Sequence, residues 1–402
     1  MRLPRLLLVL LLSCAAPAFA ADFTVEYRVK FLPAEGVAEV SLDYRPGEGR
    51  IRELDFSMDP DRYDAIRGDG RLERSEERLS WRPPSRGGSL HWRYRIDKQR
   101  RDSGYDARIT RDWVIVRGDH LVPSFRGRFS SGAQGEATLR FDLPRDWGVD
   151  TPFKRMGAEP VFAVAHDDRR LARPVGWMIA GDLGIRREFI EGMEVAVAAP
   201  KGEPVRRNEM LAFINLVAPE MQMAFGTLPE KILIVMAGEG MWRGGLSGPR
   251  SLYLHSDRPI ISENGSSTLV HELVHVVTRI TGAEGDDWIT EGIAEFYSIE
   301  LLRRTGLLSE ARAERAFDWM RNHGRNVRTL KSNRSHGPRT ARAVTLFREL
   351  DAEIRSRTDE AHDLDDVVRE LIPLRRISTG QLREVVERLS GASSKVLQTS
   401  LL

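Results

Sequence analysis

Between Asp22 and about Pro200, apolar residues recur at every second position. In FTVEYRVKF, Phe23, Val25, Tyr27, Val29 and Phe31 fall on one face and polar or charged residues on the other. LHWRYRID repeats the pattern with Leu90, Trp92, Tyr94 and Ile96, ATLRFDLP repeats it with Ala137, Leu139, Phe141 and Leu143, and MEVAVAAP closes the series. A period of two is that of a half-buried strand. Turn signals such as RPGEG, RPPSRGG and SSGAQG separate the runs. The pattern predicts an antiparallel, sandwich-like β-domain over residues 21–202, a scaffold or substrate wall with no chemistry of its own.

After PKGEP the texture changes. VRRNEMLAFINLVAPEMQMAFG has helical spacing, with Pro219 as a breaker that ends or kinks the helix. KILIVMAG is the short continuous apolar run of a buried strand, and GGLSGPRSLYLH reads as a glycine-rich turn into another strand. The remainder is mostly helical in pattern. The expected fold class is α+β multidomain, with the N-terminal β-domain followed over 203–402 by a domain that ends in helices. No internal repeat is present.

Composition adds a compartment. MRLPRLLLVLLLSCAAPAFA joins basic Arg2 and Arg5 to an apolar run from Leu6 to Leu12 and a small-x-small end at Ala18-Phe19-Ala20. That predicts a signal peptide over 1–20, cleaved after Ala20, and export to the periplasm or beyond the cell. The run is too short to span a bilayer, so no transmembrane span is expected. Cys14, in LLSC, loosely resembles a lipid-attachment site, but Leu12 fits that pattern poorly and AFA-AD fits ordinary cleavage well. Cys14 is the sole cysteine, so cleavage leaves no disulfide and no thiolate ligand. Loss of Arg2 and Arg5 leaves 59 basic residues against 59 acidic ones. Such neutrality argues against nucleic acid as a partner. Nothing in the sequence specifies an oligomeric state.

The candidate chemistry lies in STLVHELVHVVTRI. Leu269, Val270, Leu273, Val274, Val277 and Ile280 supply apolar helix surface, with Ser266 or Ser267 as N-cap. Residues four apart on a helix share a face, so His271 and His275 point the same way. Two imidazoles so placed can share one Zn2+. Glu272 lies beside them, where its carboxylate can reach a water at the metal without occupying the metal itself. TGAEGDD, with Gly282 and Gly285, then breaks the helix, and DWITEGIAEFYSIELL resumes helical spacing from Asp286 or Asp287. A second helix folding back presents a carboxylate as third ligand and leaves one position open, the arrangement of a catalytic zinc. Two residues qualify: Glu291 follows His275 after 15 intervening residues and Glu295 after 19.

HELVH followed by WITEGIAEF resembles the gluzincin metallopeptidases, the thermolysin-like clan that includes aminopeptidase N and the glycyl aminopeptidase-like enzymes. The resemblance implies a thermolysin-like α/β catalytic domain, one zinc ion per chain, a peptide or protein substrate and Glu272 as general base. It also implies a glutamate of the following helix as third ligand. The clan's usual spacing favours Glu295, whereas the local TEGIA favours Glu291. Glu291 is preferred, because loops between helices change length easily while Glu-Gly-x-Ala reflects how the helix packs. Glu295, one turn on, is then expected to accept a hydrogen bond from the free ring nitrogen of a ligand histidine.

LRFDLPRDWGVDTPF and FRELDAEIRSRTDEAHDLDDVVREL look like the β-domain strand and the late helix pair of the glycyl aminopeptidase-like enzymes. The PDZ domain that follows in many of them is not expected, as the sequence ends at Leu402. Two departures stand out. Gluzincins commonly stabilise the oxyanion with a downstream tyrosine; here no tyrosine follows Tyr297, and the matching position falls near Thr340. His336, in SNRSHGPRT, is the nearest substitute donor. The clan's aminopeptidases also carry an acidic residue in the strand before HExxH, and GGLSGP, residues 244–249, has none. Glu239 stands close by. Gly244, Gly245 and Leu246 remain suited to pairing with a substrate backbone. The expectation is an exported zinc peptidase, amino- or endopeptidase undecided. The alternative is a pseudopeptidase that binds peptides without cutting them. A purely structural role would need HELVH and TEGIA to coincide by accident.

Overall fold

The computed structural model describes residues 22–101, 104–165 and 169–402. The expected signal peptide, with Cys14, lies outside the described residues. In the N-terminal half, Phe23–Leu32 alternates buried and accessible side chains as its sequence does. It pairs antiparallel with Val37–Pro46 through a turn in which Gly36 takes φ 71°. These strands sit at the centre of a seven-stranded sheet. The antiparallel expectation fails at one pairing there, since Phe23–Leu32 runs parallel to Gly135–Asp142. More than a hundred residues separate the two strands, so no hairpin dictates their relative direction.

Two smaller sheets, of five and four strands, complete this half. One apolar core joins Val25, Tyr27 and Leu42 of the large sheet to Leu54 and Trp81 of the four-stranded one and Val114 and Met178 of the five-stranded one. Trp113–Arg117 and Trp177–Gly181 lie near the middle of the five-stranded sheet. Val114, Val116, Met178 and Ala180 face that core; Ile115, Trp177 and Ile179 turn to the other side. Both faces are covered, which explains why WMIAG reads as an unbroken apolar run.

The second half opens with a hairpin, β1 (Leu183–Ile190) and β2 (Met193–Pro200). Then come α1 (Arg207–Phe225), β3 (Lys231–Ala237), β4 (Gly245–Gly248) and β5 (Ser251–His255). The strands form one mixed sheet in the order β1-β2-β3-β5-β4. β2 pairs parallel with β3, so MEVAVAAP belongs to this sheet and does not close the first domain. We therefore draw the division before Leu183 rather than near residue 203. Continuous apolar runs conceal such a change of partner, because they fit any buried strand.

One face of this sheet meets the five-stranded sheet, with Ala196, Ala198, Leu233 and Val235 packed on Trp177 and Ile179. The opposite face carries Val195, Val197, Ile232, Ile234, Leu252 and Leu254 into a core shared with helices. These are α1, α2 (Thr268–Thr278), α3 (Asp287–Arg304), α4 (Glu310–Gly324), α5 (Pro338–Arg357), α6 (Leu364–Leu371) and α7 (Thr379–Ser390). Pro219 does not end α1, which runs through it. The hydrogen bond it removes would reach the carbonyl of solvent-exposed Asn215, where water can serve instead.

Candidate metal centre

Helix α2 starts where Ser267 caps it, its Oγ accepting from the Val270 amide at 3.3 Å. Leu269, Val270, Leu273, Val274 and Val277 bury its apolar stripe in the helical core. The stripe leaves His271 and His275 on the remaining face. The helix stops at Arg279, which takes the left-handed conformation at φ 53°. Thr281–Gly282 then pairs with Arg376–Ile377, and the chain turns back into α3.

The start of α3 is held from outside the helix. Asp286 accepts from the Thr379 amide (2.9 Å), the Thr379 hydroxyl (2.6 Å) and Lys331 Nζ (2.6 Å). Gly292 is where α3 and α5 touch: a Cβ there would lie 2.7 Å from the Ala343 Cβ and from the Phe347 ring. Thus the glycine of TEGIA is demanded by packing, and that packing sets the rotation at which Glu291 leaves the helix.

Glu291 meets both histidines. Its two carboxylate oxygens lie 3.5 Å from His271 Nε2 and 3.5 Å from His275 Nε2, and the two Nε2 atoms are 3.1 Å apart. A tetrahedral zinc with bonds of about 2.0–2.1 Å needs donor atoms roughly 3.3 Å from one another. The triangle has that size and the right chemistry, two imidazole nitrogens and one carboxylate, so these residues fit the ion. Glu295 accepts from His271 Nδ1 at 2.8 Å. A carboxylate can only accept, so the proton of a neutral His271 ring sits on Nδ1 and its Nε2 lone pair points at His275 and Glu291.

The charges around the site favour a cation there, a proton on His271 included. Burial opposes charge on His271, but Glu291 and Glu295 outweigh it and hold its pKa well above the usual value. His275, penalised by burial and by its neighbour His271, is pushed down to about 4. Burial works against Glu291 too, yet the histidines hold its carboxyl below the ordinary range. The space between the rings draws positive charge.

Glu272 is 7% exposed. Burial raises its pKa; the charge of His271 opposes this and that of Glu291 adds to it. It lies against β4, where a Cβ on Gly245 would come within 2.8 Å of the Glu272 Cγ. β4 is the edge strand of its sheet, so Gly245 brings a bare backbone to the general-base candidate. Gly244 lies against the Trp242 ring with no space for a side chain, and Leu246 packs on the core between the sheets. His336 is exposed, on the loop before α5, near enough for its charge to act on Glu291. Glu239 contributes its carbonyl, which accepts from Arg108 at 3.0 Å.

Residues that sequence reasoning passed over also reach the site. Ser247 of β4 hydrogen-bonds the Glu272 carboxylate through its hydroxyl and its amide. Arg117, from the five-stranded sheet, donates to the Ser247 carbonyl at 3.3 Å. No local pattern marks Arg117, 130 residues away along the chain. Two concavities of about 880 and 840 Å3 lie on the β-domain and include none of these residues.

No family model and no curated protein matches the sequence. Solved structures do match. An aminopeptidase N family protein from Idiomarina loihiensis superposes with a TM-score of 0.67 at 15% identity, over 87% of this chain and 70% of that one. The chain has an aminopeptidase N-like fold. An M1 zinc metallopeptidase from Deinococcus radiodurans matches over 95% of this chain and 94% of its own, with a TM-score of 0.60 and 14% identity in a mutant form. Another structure of that enzyme gives 0.56 and 13% over the same shares. The expected architecture, β-domain first and thermolysin-like helices after, is the one these proteins share with the chain.

Proposed function

We propose that this chain is an exported, zinc-dependent peptidase of the gluzincin type. The observation that carries the reading is the triangle of His271, His275 and Glu291, with the buried carboxylate of Glu272 beside it and the edge strand β4 alongside. His271, His275 and Glu291 hold the ion, and Glu295 orients His271. Zinc, when bound, supplies Lewis acidity toward a carbonyl oxygen.

Glu272 then takes the proton of the attacking water and passes it to the leaving amine. Its burial favours the protonated form, which suits a group that must hold a proton between two steps. Gly244, Gly245 and Leu246 present backbone to an extended peptide. His336 donates to the oxyanion from the exposed loop, in place of the absent tyrosine. Among the described residues no helix is long and apolar enough to cross a membrane.

The test combines metal analysis with a peptide mixture. About one zinc per chain is expected from the three-ligand set. The wild type should cleave peptides, and Glu272→Gln, zinc retained, should lose about 10²–10⁴-fold in rate. Absence of zinc would falsify the reading. A zinc-loaded wild type that binds peptides and cuts none would instead be the peptide-binding module.

A further inference from the structure

A further pocket lies wholly in the N-terminal half. It has a volume of about 450 Å3 and is lined by Arg62, Tyr63, Tyr94, Lys98, Asp119, His120 and Arg173, among others. Among the described residues its charges do not balance. Asp119 is gripped by Arg117, whose Nε lies 3.1 and 3.0 Å from the two carboxylate oxygens. Arg173 leans on the same Asp119 at longer range. Its own hydrogen bonds go to carbonyls, Val122 at 2.8 Å and Asp119 at 3.4 Å, and its Nε is buried without a partner among the described residues.

Arg62 likewise spends its donors on neutral groups: the carbonyls of Asp97 (2.7 Å) and Ile96 (3.1 Å) and the Tyr94 hydroxyl (3.1 Å). Lys98 adds a cation at the exposed rim. Asp59, the other lining carboxylate, accepts from the Asp61 amide at 2.9 Å. Three cations therefore face one cavity, and the nearer carboxylate is already held by a fourth. A part-buried guanidinium without its own carboxylate is costly to fold around unless an anion completes it.

The remaining wall is aromatic. The rings of Tyr63 and Tyr94 are 5.1 Å apart, and those of Tyr94 and His120 6.2 Å. Burial pushes His120 down to about 4; Asp119 opposes this and the cations Lys98, Arg117 and Arg62 reinforce it. The imidazole is thus a neutral ring at working pH and not a further cation.

We propose that this pocket binds a small organic anion, a carboxylate or phosphate carried on an aromatic or apolar body. The anion pairs with Arg173, Arg62 and Lys98, and the body lies on Tyr63, Tyr94 and His120. The inference is independent of the peptidase reading: Arg117 touches both places, but none of the residues that would hold the anion or its body belongs to the metal centre.

Calorimetric titration of the full chain with N-acetylphenylalanine, phenyl phosphate and the neutral N-acetylphenylalanine amide tests it. One of the two anions should bind at a single site, about tenfold or more tighter than the amide, from its charge-assisted hydrogen bonds. Which anion binds tells carboxylate from phosphate. Lys98→Met and Arg173→Met should each weaken that binding several-fold. Should Arg173→Met fail to fold, exposed Lys98→Met still decides. Binding unchanged in Lys98→Met, equal binding of the amide, or no heat with either anion overturns the proposal.

Discussion

Glu291 and Glu295 stand one helical turn apart on α3, yet they meet different nitrogens of the same histidine. Glu291 sits on the Nε2 side, with His275, and Glu295 on the Nδ1 side. Their substitutions should differ accordingly. Glu291→Ala should abolish tight zinc binding, whereas Glu295→Ala should weaken it about 10–100-fold, as loss of an orienting partner does. Competition against a chromophoric chelator measures both, and equal losses would reverse or merge the two assignments. Both glutamates and both histidines were legible in the chain, because spacings of four are local and a helix converts them directly into a shared face. Ser247 and Arg117 were not legible, since Ser247 reaches Glu272 only where β4 packs on α2, and Arg117 reaches β4 only where two sheets meet.

At the level of the element, the position of α3 decides whether the site exists. Gly292 permits its close approach to α5, and a larger residue must push the helices apart. Gly292→Val should cost about 2–3 kcal/mol in urea unfolding, as overpacking of a tight contact does, and loosen zinc along with it. Loss of stability with undiminished zinc affinity would mean that this contact does not aim Glu291. Asp286 anchors the same helix to Lys331 and Thr379. Burial raises its pKa, but these partners outweigh it and leave the folded value below the ordinary 3.8. A depressed carboxyl stabilises above its unfolded pKa, and that stability is lost as pH falls through the folded one. Wild type should therefore exceed Asp286→Asn in stability from neutral pH down to about 4, with the gap closing below. Melting curves across that range check the sign; a gap that widens in acid would contradict it.

Across the whole molecule, the five-stranded sheet of the β-domain is a middle layer, buried on one side by the β-domain core and on the other by the half that carries the candidate metal centre. Where the halves meet, Asp150 is 1% exposed and binds Lys231 Nζ at 3.2 Å and Arg187 at 2.5 Å. Lys231 also has Glu194 at 3.4 Å. Asp150→Ala should destabilise the chain by up to about 3 kcal/mol, at the low end for a broken buried pair because Glu194 remains. The double substitution Asp150→Ala with Lys231→Met should recover part of that loss. If the double variant is no better than the single, the uncompensated lysine is not the cause.

The chain by itself determined its alternating β-half, the HELVH helix, the break at Gly282–Gly285 and the facing glutamates, all set by periods of two or four within short windows. It also restricted Gly292, whose missing side chain is a packing requirement written into TEGIA. Tertiary structure alone decided that β1 and β2 join the second sheet and that Phe23–Leu32 runs parallel to Gly135–Asp142. It also placed Arg117 at β4 and gathered the cations of the β-domain pocket. Those outcomes depend on which distant surfaces exclude water together, and a continuous apolar run or a lone arginine carries no record of its partner.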